Sequence, residues 1–116
     1  MTKVYQTQTG AFTASHSHEG TLNEAAHPHH FTYEVTFHGP LNQEGFMLDF
    51  RPVAQFLETE IDQRLQGSDL GVILKNPTTE ALAIWIYNRV SQHLPHVFSV
   101  KVAEEPNRWI TYQGEE

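Results

Sequence analysis

Residues 29–38 read His29-His30-Phe31-Thr32-Tyr33-Glu34-Val35-Thr36-Phe37-His38. Phe31, Tyr33, Val35 and Phe37 alternate with Thr32, Glu34 and Thr36. A period of two places the first set on one face of a β-strand and the second on the other. Gly39-Pro40 closes the strand. A strand with one apolar face must lie on something, so its neighbours in sequence decide the fold.

Upstream, residues 4–16 are rich in Thr, Val, Tyr and Phe and read as a partner strand. The polar stretch from Ser17 to Ala26 joins the two as a loop. Downstream, Gly45 to Phe50 is a short apolar link. Val53, Phe56, Leu57, Ile61 and Leu65 then recur at helical spacing, with Pro52 near the start. Gly67 and Gly71 interrupt that pattern. Asn76-Pro77-Thr78-Thr79-Glu80 reads as a second helix start. Thr78 is placed to cap it, and Glu80 suits the positive end of the first turn. Leu82, Trp85, Ile86, Val90 and Leu94 form its stripe, and Pro95 stops it. Phe98, Val100 and Val102 alternate as a third strand. Arg108 to Gln113 is a fourth, with Ile110 and Tyr112 on one face. The order ββααββ predicts one α+β domain over residues 1–116, an antiparallel four-stranded sheet with two helices on one face. The other face needs cover from a partner subunit or a closed barrel.

The chain has 116 residues, 39% of them hydrophobic and 11% aromatic, enough for one core. Its net charge of −7, with no basic run, argues against nucleic acid and anionic membrane surfaces as partners. The absence of cysteine excludes disulfides, thiolate metal sites and a thiol nucleophile. No apolar stretch is long enough to span a bilayer, and no signal-peptide pattern opens the chain, so a cytoplasmic location is the expectation.

Five of the eight histidines (16, 18, 27, 29 and 30) fall in one short interval. His27 and His29 share the parity of Phe31 and Tyr33, with Cα atoms roughly 6.6 Å apart. His16 shares the parity of Phe12 and Ala14. If the first two strands pair antiparallel, three imidazoles converge on one face. Three protein ligands leave one coordination position for a substrate. Neutral imidazole suits zinc, and also copper, nickel and iron. His18 has the parity of His16 and competes as a ligand; His30 points to the opposite face. Glu104 continues the parity of Phe98, Val100 and Val102, which sets a carboxylate at the end of an apolar face. Burying a carboxylate is costly unless it is paired. It suits a ligand with two adjacent N–H donors, such as the edge of a pterin or guanine. Thr78 and Thr79 add backbone and hydroxyl contacts at the helix start.

Six segments, in order and spacing, resemble the 6-pyruvoyl-tetrahydropterin and 6-carboxytetrahydropterin synthase family, of the T-fold type. Phe12-Thr13-Ala14-Ser15-His16 resembles its first zinc motif. His27-Pro28-His29 resembles its H-G-H motif, with proline for the usual glycine. Gly45 to Phe50 resembles a G-x-x-x-D-F segment, and Pro77-Thr78-Thr79-Glu80 a P-T-x-E helix start. Glu104 falls where a pterin-anchoring glutamate is expected, and Tyr112-Gln113-Gly114-Glu115 is similar to the family's ending. The resemblance implies Zn2+ on His16, His27 and His29, a reduced pterin on Glu104, and a homo-hexamer of two stacked trimers.

The chain also departs from the pattern. The usual cysteine four residues before H-G-H is Asn23 here. The usual L-D-H motif is Leu65-Gln66-Gly67, with Asp69 out of register. Glu24, three residues before His27, matches a branch with E-x-x-H-G-H. That branch is associated with cleaving the side chain of dihydroneopterin-type substrates to a 6-hydroxymethyl-dihydropterin for folate synthesis. The resemblance therefore implies a zinc-dependent lyase on 7,8-dihydroneopterin or its triphosphate, with Glu24 as base. The alternative is a catalytically degenerate, zinc-containing pterin or purine binder of the same fold.

Overall fold

The computed structural model describes residues 2–17 and 27–115. Strands β1 (Lys3–His16) and β2 (His27–Pro40) form a long antiparallel ladder; β3 (Val97–Glu105) and β4 (Arg108–Tyr112) extend it in the order β1-β2-β3-β4. The ladder pairs Phe12 with Phe31, Ala14 with His29 and His16 with His27. All of β2's expected inward residues, Phe31, Tyr33, Val35 and Phe37, are fully buried. Each such burial contributes on the order of 2 kcal/mol.

The helices differ in detail from the sequence expectation. The first stripe is one helical rod made of α1 (Phe50–Leu57), a π-helical turn (Glu58–Asp62) and α2 (Gln63–Leu65). Its backbone stays right-handed helical through the wide turn, from Leu57 (φ −62°, ψ −43°) to Gln63 (φ −68°, ψ −34°). Gly71, expected as a breaker, instead lies inside a short helix, α3 (Leu70–Ile73). Asp69 caps it by accepting a hydrogen bond from the Gly71 N–H at 2.9 Å. Helix α4 (Thr79–Ser91) starts where the sequence places it, with the Thr78 hydroxyl accepting from the Ala81 N–H at 3.0 Å. No helix of the described residues is long and apolar enough to cross a membrane.

The core lies between one sheet face and these helices. Val53, Leu57, Ile61 and Leu65 from the rod, and Leu82, Ala83, Ile86 and Val90 from α4, pack with Phe12, Val100 and Val102. One strand residue departs from its expected face. A register shift between Thr36 and Phe37 sets Val97 opposite Phe37, and Val97 packs on the core. Phe98 instead stands edge-on to Tyr5 and His38, whose rings stack 4.0 Å apart across β1 and β2. A bulge inserts one residue and so reverses the parity beyond it.

Within the core, the Tyr33 hydroxyl donates to Asp62 Oδ1 at 2.5 Å, which ties the π-helical turn to the sheet. Burial pushes the Tyr33 phenol well above its ordinary pKa, so it remains a donor at every working pH. Gly10 makes room for this contact. A Cβ there would overlap the Tyr33 hydroxyl and lie 2.7 Å from Asp62 Oδ1.

Candidate metal centre and ligand cavity

The antiparallel register brings the end of β1 beside the start of β2, and with it three imidazoles. Ring centroids are 4.8 Å apart for His16 and His27, 4.9 Å for His16 and His29, and 4.4 Å for His27 and His29. His16 is 1% exposed. Its Nδ1 lies 2.9 Å from the Pro77 carbonyl oxygen. A carbonyl only accepts, so Nδ1 carries the proton and Nε2 keeps its lone pair for an ion. A ring oriented through its far nitrogen is the usual second layer of a histidine metal site.

Glu104 joins this group. Its Oε1 is 3.2 Å from His16 Nε2 and 3.1 Å from His29 Nε2. Its Oε2 accepts from the Thr79 hydroxyl at 3.2 Å. One ligand atom from each of His16, His27, His29 and Glu104 lies within 4.8 Å of the others. A tetrahedral ion with bonds of about 2.0–2.1 Å sets its donors roughly 3.3 Å apart. The Glu104 distances are close to that edge. Imidazole with carboxylate and no thiolate is a donor set that fits zinc. No other cluster of three or more metal-ligating side chains occurs among the described residues.

Beside the imidazoles opens a cavity of about 510 Å³, within the size range of small-molecule sites. His27, His29, Thr78, Thr79, Glu80 and Glu104 line it, with Glu105, Arg108, Trp109 and Ile110 completing the wall. The structure thus brings together His16, His27, His29, Glu104, Thr78 and Thr79. Glu104, which the sequence reading reserved for a ligand edge, faces the imidazoles and also lines the cavity. Glu80 was read as a favourable charge in the first helical turn and as the end of the P-T-x-E segment; its place beside Thr78 and Thr79 was the signal that it lines the cavity. The Pro77 carbonyl carried no signal, because any residue supplies one. His30 stands off the site, with Nδ1 3.2 Å from the Thr13 hydroxyl. Glu24, the expected base, lies outside the described residues, as do Asn23 and His18.

Gln66 and Gly67, which stand where the resemblance puts an acid–base pair, hold β1. Gln66 Oε1 accepts from the Thr13 N–H at 2.9 Å, and the Gly67 N–H donates to the Thr13 carbonyl at 2.7 Å. Gly67 does so at φ +75°, a conformation open to glycine.

Known proteins resemble the chain in sequence and in fold. A family model described as 6-pyruvoyl tetrahydropterin synthase matches residues 5–115. A dihydroneopterin monophosphate aldolase of Pyrococcus furiosus is 34% identical over 85 residues, 73% of each chain. A 6-pyruvoyl tetrahydrobiopterin synthase of Drosophila melanogaster is 31% identical over 101 residues, 79% of this chain and 60% of that one. Among solved structures, the 6-pyruvoyl tetrahydropterin synthase of Caenorhabditis elegans superposes with a TM-score of 0.86 at 16% identity, covering 99% of this chain and 98% of that one. A Plasmodium vivax enzyme of the same name, solved as a mutant with alanine in place of a glutamate described there as a catalytic residue, gives a TM-score of 0.78 at 13% identity over the whole of both chains.

Proposed function

The chain belongs to the 6-pyruvoyl tetrahydropterin synthase family, and from that premise we propose that it is a zinc-dependent lyase acting on the side chain of a reduced neopterin. The observation that carries the proposal is the convergence of His16, His27, His29 and Glu104 beside a cavity of ligand size. Bound zinc supplies Lewis-acid polarisation of a side-chain hydroxyl.

The chain's own residues divide the rest of the work. His16 is held by Pro77 in the tautomer that presents Nε2. Thr78 and Thr79 line the path between helix α4 and the imidazoles. Two of the three carboxylates that line the cavity, Glu80 and Glu104, stand nearest the start of helix α4 and the imidazoles. Glu104 lies against the imidazoles, at the reacting end of the cavity. Glu80 lines the same cavity outside the metal group and, with Glu104, is placed to take the two adjacent N–H donors of the pterin ring edge. The Thr79 hydroxyl bridges toward Glu104 Oε2 and fixes that carboxylate's direction.

Glu24 is the proposed general base. Its support is the spacing Glu24-Ala25-Ala26-His27, which matches the E-x-x-H-G-H branch that the sequence resembles. Incubating the zinc-loaded protein with 7,8-dihydroneopterin should release a 6-hydroxymethyl-dihydropterin, read by chromatography. Glu24→Ala should lower kcat on the order of 100-fold or more while zinc content and pterin affinity persist. Absence of product alongside intact pterin binding would sink the lyase reading.

That outcome belongs to a second reading, a pterin or purine binder that lost its chemistry. It is favoured by one observation: Gln66 and Gly67 are spent on holding β1. In that case Glu24→Ala changes no rate, because there is none.

A homo-hexamer of two stacked trimers is proposed for the assembly. Strands β1 and β4 are the two edges of the sheet, and among the described residues no helix covers its outer face. Edge pairing of β4 on β1 of a second copy satisfies both. Light scattering should give six times the 13.3 kDa chain mass, and a monomer would refute it.

A further inference from the structure

Resting on the metal reading above, the hydrogen bonds at the end of β1 bear on how the ligand His16 is held. His16 is the last residue of β1, and β1 is an edge of the sheet. An edge strand carries backbone groups with no partner on its free side, and strand ends open easily. A metal ligand placed there needs its geometry fixed to within about 0.5 Å. Three groups on the free side, just before His16, are taken by one turn. The Thr13 N–H donates to Gln66 Oε1 at 2.9 Å, the Gly67 N–H to the Thr13 carbonyl at 2.7 Å, and the Ser15 N–H to the Ser68 carbonyl at 2.9 Å. A parallel bridge between Ser15 and Asp69 continues the contact. On the other side β2 pairs the same stretch, Thr13 with His30 and Ser15 with Pro28.

The turn is itself tied to the core. The Gln66 N–H donates to the Asp62 carbonyl at 2.9 Å, and the Asp62 carboxylate is fastened to β2 by Tyr33. Gly67 reaches Thr13 through a left-handed backbone, φ +75°, and nothing beyond its chain neighbours lies within 4 Å of an added Cβ. Glycine is needed there for its conformation, with no crowding to avoid. We propose that the Gln66-Gly67-Ser68 turn is a positioning device for the metal site, fixing the backbone of β1 so that His16 meets the ion together with His27 and His29. His16 is then held twice, at its backbone by this turn and at its ring by the Pro77 carbonyl. Gln66 and Gly67 belong neither to the metal group nor to the cavity wall, and act through Thr13.

Zinc Kd, by competition with a chromophoric chelator, and the visible spectrum of the Co2+-loaded protein read the site without turnover. Gln66→Leu removes the acceptor and should weaken zinc about tenfold, the low end of the loss on deleting a group behind a metal ligand, and should shift the cobalt bands. Gly67→Val should do the same, because a β-branched residue resists a positive φ. Gln66→Glu keeps an oxygen for the Thr13 N–H, and Gly67→Asn tolerates the left-handed backbone, so both should stay near wild type. Thr7→Val breaks the 2.8 Å hydroxyl contact with Thr36 toward the start of β1, and should leave zinc Kd unchanged whatever it does to Tm. If Gly67→Val fails to fold, the two Gln66 variants carry the test, since that side chain is exposed. An unmoved zinc Kd and cobalt spectrum in Gln66→Leu would overturn the inference and leave the turn a purely structural one. So would a loss in Gln66→Glu as large as in Gln66→Leu. Failure of wild type to bind zinc would overturn the metal reading along with it, a result distinct from tight zinc that no variant moves, which overturns the positioning role alone.

Discussion

His29→Ala should strip the protein of its metal. Replacing even an outer partner of a ligating histidine lowers metal affinity by roughly 10–100-fold, so removing a ligand itself should cost more than about 100-fold. His29 is the informative choice because its side chain is 24% exposed and its loss leaves little cavity. His16→Ala should lose the metal as well. It also leaves the Pro77 carbonyl without its partner inside the fold, a further cost of about 1–3 kcal/mol. His30→Ala, on the opposite face, should keep its zinc. Elemental analysis after dialysis gives the stoichiometry, and thermal unfolding gives the linked stability. An ion at a thousandfold excess over its Kd stabilises a fold by about 4 kcal/mol, so a chelator should lower Tm in wild type and leave His29→Ala unmoved. Full zinc content in His29→Ala would place the ion elsewhere.

Glu80→Gln and Glu104→Gln should fail in different ways. If Glu80 takes the pterin ring edge, its amide presents one donor to two donors and forfeits a charge-assisted pair. The expected loss of pterin affinity is on the order of 100-fold, with zinc content intact. Glu104 faces His16 and His29, so Glu104→Gln should instead lower kcat and shift zinc affinity, with pterin Kd changed by only a few fold. Calorimetric titration with a non-reacting pterin, beside metal analysis, separates the two. The reverse pattern, with affinity lost in Glu104→Gln and kept in Glu80→Gln, would return the ring edge to Glu104.

The sequence disclosed most of the sheet and the metal group, for a physical reason. Period-two patterning from Phe31 to Phe37 fixes which side chains turn inward, and His27, His29 and Glu104 inherit the same parity. Their convergence follows once β1 and β2 pair antiparallel. Parity fails at Phe98, because a bulge leaves no mark in composition. The helical details were hidden for similar reasons. A π-helical turn keeps the stripe of Val53, Leu57, Ile61 and Leu65 buried, so the pattern reads as an ordinary helix. Gly71 reads as a breaker, yet the Asp69 cap outweighs its poor propensity over a helix of four residues. The direction of Glu104 was illegible as well, since parity gives a face and says nothing of the neighbour a carboxylate chooses on it.

The most direct test of the central claim is a crystal structure of the zinc-loaded protein with a bound reduced pterin. The account expects the ion on His16, His27 and His29, the pterin's side-chain hydroxyls beside it, and the ring edge on a carboxylate of the cavity wall. A pterin bound away from the three imidazoles, or an ion held by other side chains, would contradict it.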